Sequence, residues 1–443
     1  MPSYVVVPSE AVASASARLS GAREPAPDEH GLKWSRFGDR TIYWNDGAPQ
    51  SDARRGFEHF TEAPRATQGR LYLVGQLGQE FRETFPSARV VLEAGRYLAV
   101  DLTDAEAEGL SSLNLAGFGL VPMPPNATIV EQVARAALAV AAVDARARDL
   151  ADQVSPGRVA QSLAFLTGCQ TRHSLSAGFV RASAWAELTL QQLGYTVTRS
   201  MVVIPGGSSS NLVADKAGLG TNRRLVLVTA HLDSINLAGG PDAPAPGADD
   251  NGSGIAGVLE IAHILAGTEH DDDLRLVLFG GEEQGLFGSS QYVADLSDAD
   301  RDRISAVINM DMTASLNSPE PGVLLEGAPV SQPLIDRLAA SAAAVTDLSV
   351  TISLNPFASD HVPFISAGLP AVLTIEGADS ENHNIHSDRD TLSTIDSPLA
   401  VMIYTMNLVT VAGLLGLRDS GENQTELAVD QQAQQREAGT DTN

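Results

Sequence analysis

Cysteine is almost absent from this 443-residue chain, which has only Cys169. No intrachain disulfide can form, and a thiolate zinc cluster is excluded. No helix start or basic cluster surrounds Cys169, so a buried small apolar residue fits it better than a nucleophile. Basic charge is scarce too. The chain has 29 Lys and Arg against 55 Asp and Glu, a formal net charge of −26, and its only lysines are Lys33 and Lys216. A polyanion would meet net repulsion, so a nucleic-acid partner has no electrostatic support. Long apolar runs are missing as well. None reaches the roughly 18 residues of a membrane helix, and the alanine-rich stretch from Val133 to Val143 is broken by Arg135. A membrane partner is therefore not expected. The opening MPSYVVVPSE has no basic leader, unlike a secretory signal.

Apolar residues make up 43% of the chain, the composition of a soluble globular protein. The length suggests two or three domains. Residues 1–125 begin with a stretch punctuated by Pro, Gly and Asp between Arg23 and Arg55. A short α+β pattern follows. Leu71 to Val74, Ala88 to Leu92, Tyr97 to Leu102 and Gly117 to Val121 read as strands. Asp104 to Leu113 reads as a helix capped by Thr103. This is a small module without visible chemistry, a candidate pro-segment. Residues 126–417 alternate strands and helices, which implies α/β architecture with a mostly parallel central sheet flanked by helices. Residues 418–443 are polar and lack an apolar period, as in a disordered tail.

Four runs in the large region, Leu225–Val228, Leu274–Phe279, Ile304–Met310 and Ala371–Ile375, read as strands buried on both faces. His231 and Asp233 follow the first, Gly280-Gly281-Glu282-Glu283 the second, Asp311 the third, and a loop to His386 the fourth. Ligands of open α/β sheets gather outside the carboxyl ends of the strands. Asp250 joins the set from a glycine-rich loop, Gly247 to Gly254, ahead of a helix carrying Ile255, Val258, Leu259 and Leu265. Imidazole and carboxylate without thiolate suit zinc, cobalt or manganese. Two histidines and three carboxylates exceed the needs of one tetrahedral ion and suit two ions sharing a carboxylate. Singly, these residues have plainer readings. Glu282-Glu283 could be a solvated acidic turn, and Asp249-Asp250 could be helix caps.

The segments AHLDS, PGADDNGSGIAG, GGEEQGLFGS, INMDM, SDHVPF and IHSDRDT resemble those of the M28 family of zinc peptidases, most closely its bacterial leucyl-type aminopeptidases. The resemblance covers about residues 150 to 415 and leaves the N-terminal module outside. It implies a metallo-aminopeptidase with two zinc ions per chain, acting on peptide or protein N-termini, and secreted or periplasmic. Asp250, rather than Asp249, would bridge the ions. His231 and Asp311 would complete one shell, Glu283 and His386 the other. Glu282 would be the general base for a dizinc-activated water, and Asp233 would orient His231. His383 is a weaker rival to His386. His361 would support the site without ligating, His263 would lie outside it, and Asp390 could support the ligand loop. The chain departs from the family in having Ile385 where relatives often place a tyrosine beside the ligand histidine. Asn355 to Ala358 also lacks a tyrosine, which leaves the oxyanion donor unassigned. The same ligand set would serve an M28 carboxypeptidase or dipeptidase. A glutaminyl-cyclase-like enzyme fits less well, and a non-catalytic peptidase-like binding domain would have lost ligands or base that are present here.

Overall fold

The four apolar runs form neighbouring strands of one large sheet. The computed structural model describes residues 2–9, 32–45, 57, 60–113, 117–133 and 143–418. The expected tail beyond 418, the alanine-rich run 134–142 and most of the punctuated stretch lie outside these residues. In chain order the strands are β1 (Ser3–Pro8), β2 (Lys33–Phe37), β3 (Arg40–Asn45), β4 (Arg65–Ala66), β5 (Arg70–Gln76), β6 (Arg89–Ala94), β7 (Tyr97–Leu102), β8 (Phe118–Pro122) and β9 (Ala127–Val133). They continue as β10 (Thr196–Ile204), β11 (Gly207–Lys216), β12 (Leu225–His231), β13 (Asp273–Phe279), β14 (Ile304–Met310), β15 (Gly322–Glu326), β16 (Ser349–Ser353) and β17 (Ala371–Glu376).

Among the described residues the large sheet has 13 strands, in the order β10-β11-β13-β12-β14-β17-β15-β16-β9-β2-β3-β1-β4. Its centre, β13-β12-β14-β17, is parallel. Antiparallel pairings bring in β11 on one side and β15 on the other. The helices Gly252–Ala266 and Ser397–Leu415 pack on this centre and share one core with it. The second is long and apolar enough to cross a membrane by length and composition alone, yet 78% of its apolar window is buried inside the protein. Two of its polar side chains bond to neighbouring elements: Asn407 Nδ2 donates to Thr374 Oγ1 at 3.0 Å, and Thr410 Oγ1 meets Ser341 Oγ at 2.8 Å. It is a core helix.

The N-terminal residues occupy two places. Strands β1 to β4 extend the large sheet, because β2 runs parallel to β9 and β9 pairs with β16. Strands β5 to β8 form a separate antiparallel sheet, in the order β6-β7-β5-β8. The helix Asp104–Ser112 lies beside it, started by a reciprocal capping box between Thr103 and Glu106. Cys169 is buried, with the Arg181 Nε–H directed at its sulfur at 3.4 Å.

Candidate metal centre

Parallel pairing decides where the polar residues meet. His231 is the last residue of β12 and stands opposite Phe279, the last residue of β13. The strands therefore end at one edge. Just past that edge, β13 delivers Glu282 and Glu283, and β14 delivers Asp311. Asp250 comes from the loop before the helix Gly252–Ala266, whose N-cap Asn251 accepts a hydrogen bond from Gly254 N–H. His386 comes from the loop after β17, with φ of +52°, a left-handed conformation that non-glycine residues rarely adopt.

Asp250 stands in the middle. Its Oδ1 lies 3.2 Å from His231 Nε2, which is itself 3.2 Å from Asp311 Oδ1. Its Oδ2 lies 3.1 Å from His386 Nε2, which is 3.2 Å from Glu283 Oε2. One carboxylate thus turns one oxygen toward each half of the cluster. Glu282 offers an oxygen within 4.8 Å of donor atoms of His231 and Asp311. His386 keeps 13% side-chain exposure against 1% for His231, so the site opens to solvent on the His386 side. Three further histidines stand outside this cluster. His383 and His263 are exposed, and His361 is buried with its Nε2 3.2 Å from Glu326 Oε1.

Buried groups hold these side chains. Asp233 accepts from the backbone N–H of Glu282 at 3.3 Å and of Glu283 at 3.2 Å. Its carboxylate is 3.7 Å from His231 Nδ1, beyond hydrogen-bond range, whereas its backbone oxygen is at 3.2 Å. Its carboxylate thus aims the tandem glutamates more directly than the histidine. Asp390 accepts from the N–H of Asp249 and of Asp250, both at 2.9 Å. Three further groups had no local signal. Ser359 Oγ donates to Asp311 Oδ2 at 2.8 Å. Asn382 Nδ2 donates to Asp249 Oδ2 at 3.0 Å and to Glu376 Oε1 at 3.1 Å. The fully buried guanidinium of Arg172 donates to the carbonyls of Leu232, Pro246 and Gly247, tying the His231 and Asp250 loops together. Apart from the Asn382–Glu376 bond, these links each span 48 residues or more, so no spacing rule could reveal them.

The cluster is electrostatically incomplete as protein alone. Burial pushes the Glu283 carboxyl up to about 7, and the Asp250 carboxylate adds to this. Burial also drives Glu282 well above the ordinary carboxylate range. Burial disfavours a charged His231, yet Glu282 and Asp311 beside it hold its pKa well above 6.5. His386 behaves likewise, against burial, because Glu283 and Asp250 face it. Among the described residues, no lysine or arginine ion-pairs with Asp250, Glu283 or Asp311. The buried Glu283 Oε1 has no hydrogen-bond partner. Such groups call for a cation. Imidazole nitrogens with carboxylate oxygens fit zinc or a similar divalent ion.

Residues 211–411 match the model of peptidase family M28. It is 32% identical over 206 residues to leupeptin-inactivating enzyme 1 of Streptomyces exfoliatus, a match covering 46% of this chain and 44% of that protein. It is 36% identical over 178 residues to aminopeptidase YwaD of Bacillus subtilis, covering 39% of this chain and 37% of the relative. The chain thus spans less than half the length of these relatives. Its fold is similar to that of BSAP, a zinc aminopeptidase from Bacillus subtilis, with a TM-score of 0.53 and 16% identity, over 59% of this chain and 96% of the other.

Proposed function

We propose that this protein is a zinc-dependent aminopeptidase that removes N-terminal residues from peptides. The observation that carries the reading is Asp250, whose two oxygens face two separate His–carboxylate pairs. His231 and Asp311 would hold one zinc, Glu283 and His386 the other, and Asp250 both. The ions, when bound, acidify a coordinated water and withdraw charge from the substrate carbonyl. Glu282 takes the proton of the attacking water and passes it to the leaving amine. Asp233 keeps Glu282 and Glu283 at their separate tasks by fixing the peptide between them. The location we propose, outside the cytoplasm, rests on the family resemblance alone.

The test pairs zinc-loaded protein with two substrate sets, peptides with free N-termini and the same peptides N-acetylated. Hydrolysis of the free set, with two zinc equivalents per chain, is the expected result. Turnover confined to the acetylated set would exclude an aminopeptidase, and fewer than one zinc equivalent would refute the site.

A further inference from the structure

The contacts of the small N-terminal sheet point away from a detachable covering segment. Gly75 and Gly119 face each other across β5 and β8. A Cβ on either would lie 3.0 or 2.8 Å from the Phe357 ring, so the two glycines form a flat seat for it. The Arg96 guanidinium lies 6.0 Å from the centre of the same ring. Phe357 N–H donates to Glu326 Oε1 at 2.7 Å. The other Glu326 oxygen accepts from Arg96 Nη1 at 3.3 Å and from the Tyr97 hydroxyl. Arg96 Nε is also 3.1 Å from Asp379 Oδ2. Arg96, Glu326 and Asp379 are all buried. The turn between β6 and β7 therefore supplies the cation for two buried carboxylates of the peptidase domain.

Both segments it grips lead to the metal centre. Ala358 follows Phe357 with φ of +38°, a left-handed conformation that its neighbours must hold. The next residue, Ser359, donates to Asp311 Oδ2 at 2.8 Å and accepts from Asn309 Nδ2 at 2.8 Å. On the second segment, Gln79 Nε2 donates to Ser380 O at 3.0 Å. A Cβ on Gly78 would lie 3.2 Å from Cδ1 of Ile385, the neighbour of His386.

We propose that the N-terminal module is a permanent positioning element of the metal centre, with its Arg96 and the Phe357 it seats as positioning residues, acting through Ser359 on Asp311 and through the Asp379–Ile385 segment on His386. This rests on the reading of Asp311 and His386 as metal ligands. A detachable inhibitor would leave a complete site behind. Removing this module would leave Glu326 and Asp379 buried without their arginine, and Phe357 without its seat.

The test uses the full-length chain with Phe357→Ala, Gly119→Val and, as a control, Gly109→Ala, where an added Cβ meets nothing within 4 Å. Each protein is loaded with cobalt, its visible spectrum recorded, its metal content measured, and kcat and KM determined on one aminoacyl substrate. The expected result for Phe357→Ala and Gly119→Val is a shifted cobalt spectrum, weaker metal retention and kcat lowered about 10-fold or more, with KM little changed. Gly109→Ala should match wild type. If Gly119→Val does not fold, Phe357→Leu should recover much of the wild-type spectrum and kcat lost in Phe357→Ala. Folded Phe357→Ala with wild-type spectrum and kcat would overturn the proposal, as would a variant more active than wild type, the mark of an inhibitory module. Wild type that binds no cobalt would instead refute the metal-site reading on which the proposal rests.

Discussion

Two adjacent glutamates are turned toward different partners beside one buried aspartate. Asp233 fixes the peptide joining them, so Glu283 faces His386 while Glu282 faces His231 and Asp311. Glu282→Gln preserves shape and removes the proposed base. It should retain two zinc equivalents and lose about 10²- to 10⁴-fold in kcat, checked by metal analysis beside steady-state kinetics. Asp390 offers two oxygens to two backbone N–H groups of the Asp250 loop. An asparagine can accept through one atom only, so Asp390→Asn should weaken zinc binding by about 10- to 100-fold, measured by competition with a chelator. Most site residues were legible in sequence because each follows an apolar run that ends abruptly in His, Asp or Glu. The relation of Asp233 to its neighbours was only half legible. The family resemblance suggested a link to His231, whereas the carboxylate bonds across to the end of the next strand.

At the scale of elements, the candidate ligands are placed by strand ends and tight loops. Gly280 follows β13 where it closes on β11. A Cβ there would lie 2.4 Å from Ser209 Oγ and 2.8 Å from Ser210 O. Gly280→Ala must push this junction, and with it Glu282 and Glu283. We expect a loss of about 1–3 kcal/mol in stability from overpacking, read by denaturant unfolding, and a fall in kcat that persists at temperatures where the variant is folded. The strands of the site were legible because a continuous apolar run of this length suits a strand buried on both faces. Ile304–Met310 and Tyr97–Leu102 have the bounds their composition suggests. The antiparallel flanks of the sheet were less so, since the pairing of β9 with both β16 and β2 joins residues that no local pattern connects.

For the whole molecule, two linkages follow. A metal that binds only the native site stabilises it by mass action, so a strong chelator should lower Tm and added zinc should restore it, as scanning calorimetry would show. Chelator-insensitive melting of zinc-loaded protein would count against the site. The second linkage is acid sensitivity. Burial raises the Glu326 pKa, but Arg96 and His361 outweigh it and hold the folded value below 4.5. The unfolded chain therefore binds this proton first as pH falls. Glu326 adds stability above the unfolded value, and that contribution is lost as pH drops through the folded one. Glu326→Gln should cost about 3 kcal/mol near neutrality by unpairing a buried charge, with a shallower loss of stability in acid. Urea unfolding across the pH series checks both.

The sequence by itself determined the chemistry available: imidazoles and carboxylates, no thiolate cluster, most of them set where an apolar strand runs out. It also determined the alternation that makes the sheet, because burial on both faces selects continuous apolar runs. Tertiary structure alone decided which oxygen faces which nitrogen, and that Arg96, in a module with no chemistry of its own, neutralises carboxylates some 230 and 283 residues away. Those choices depend on strand register and on the cost of burying unpaired charge. Both are set by contacts between distant segments, which leave no local pattern to read.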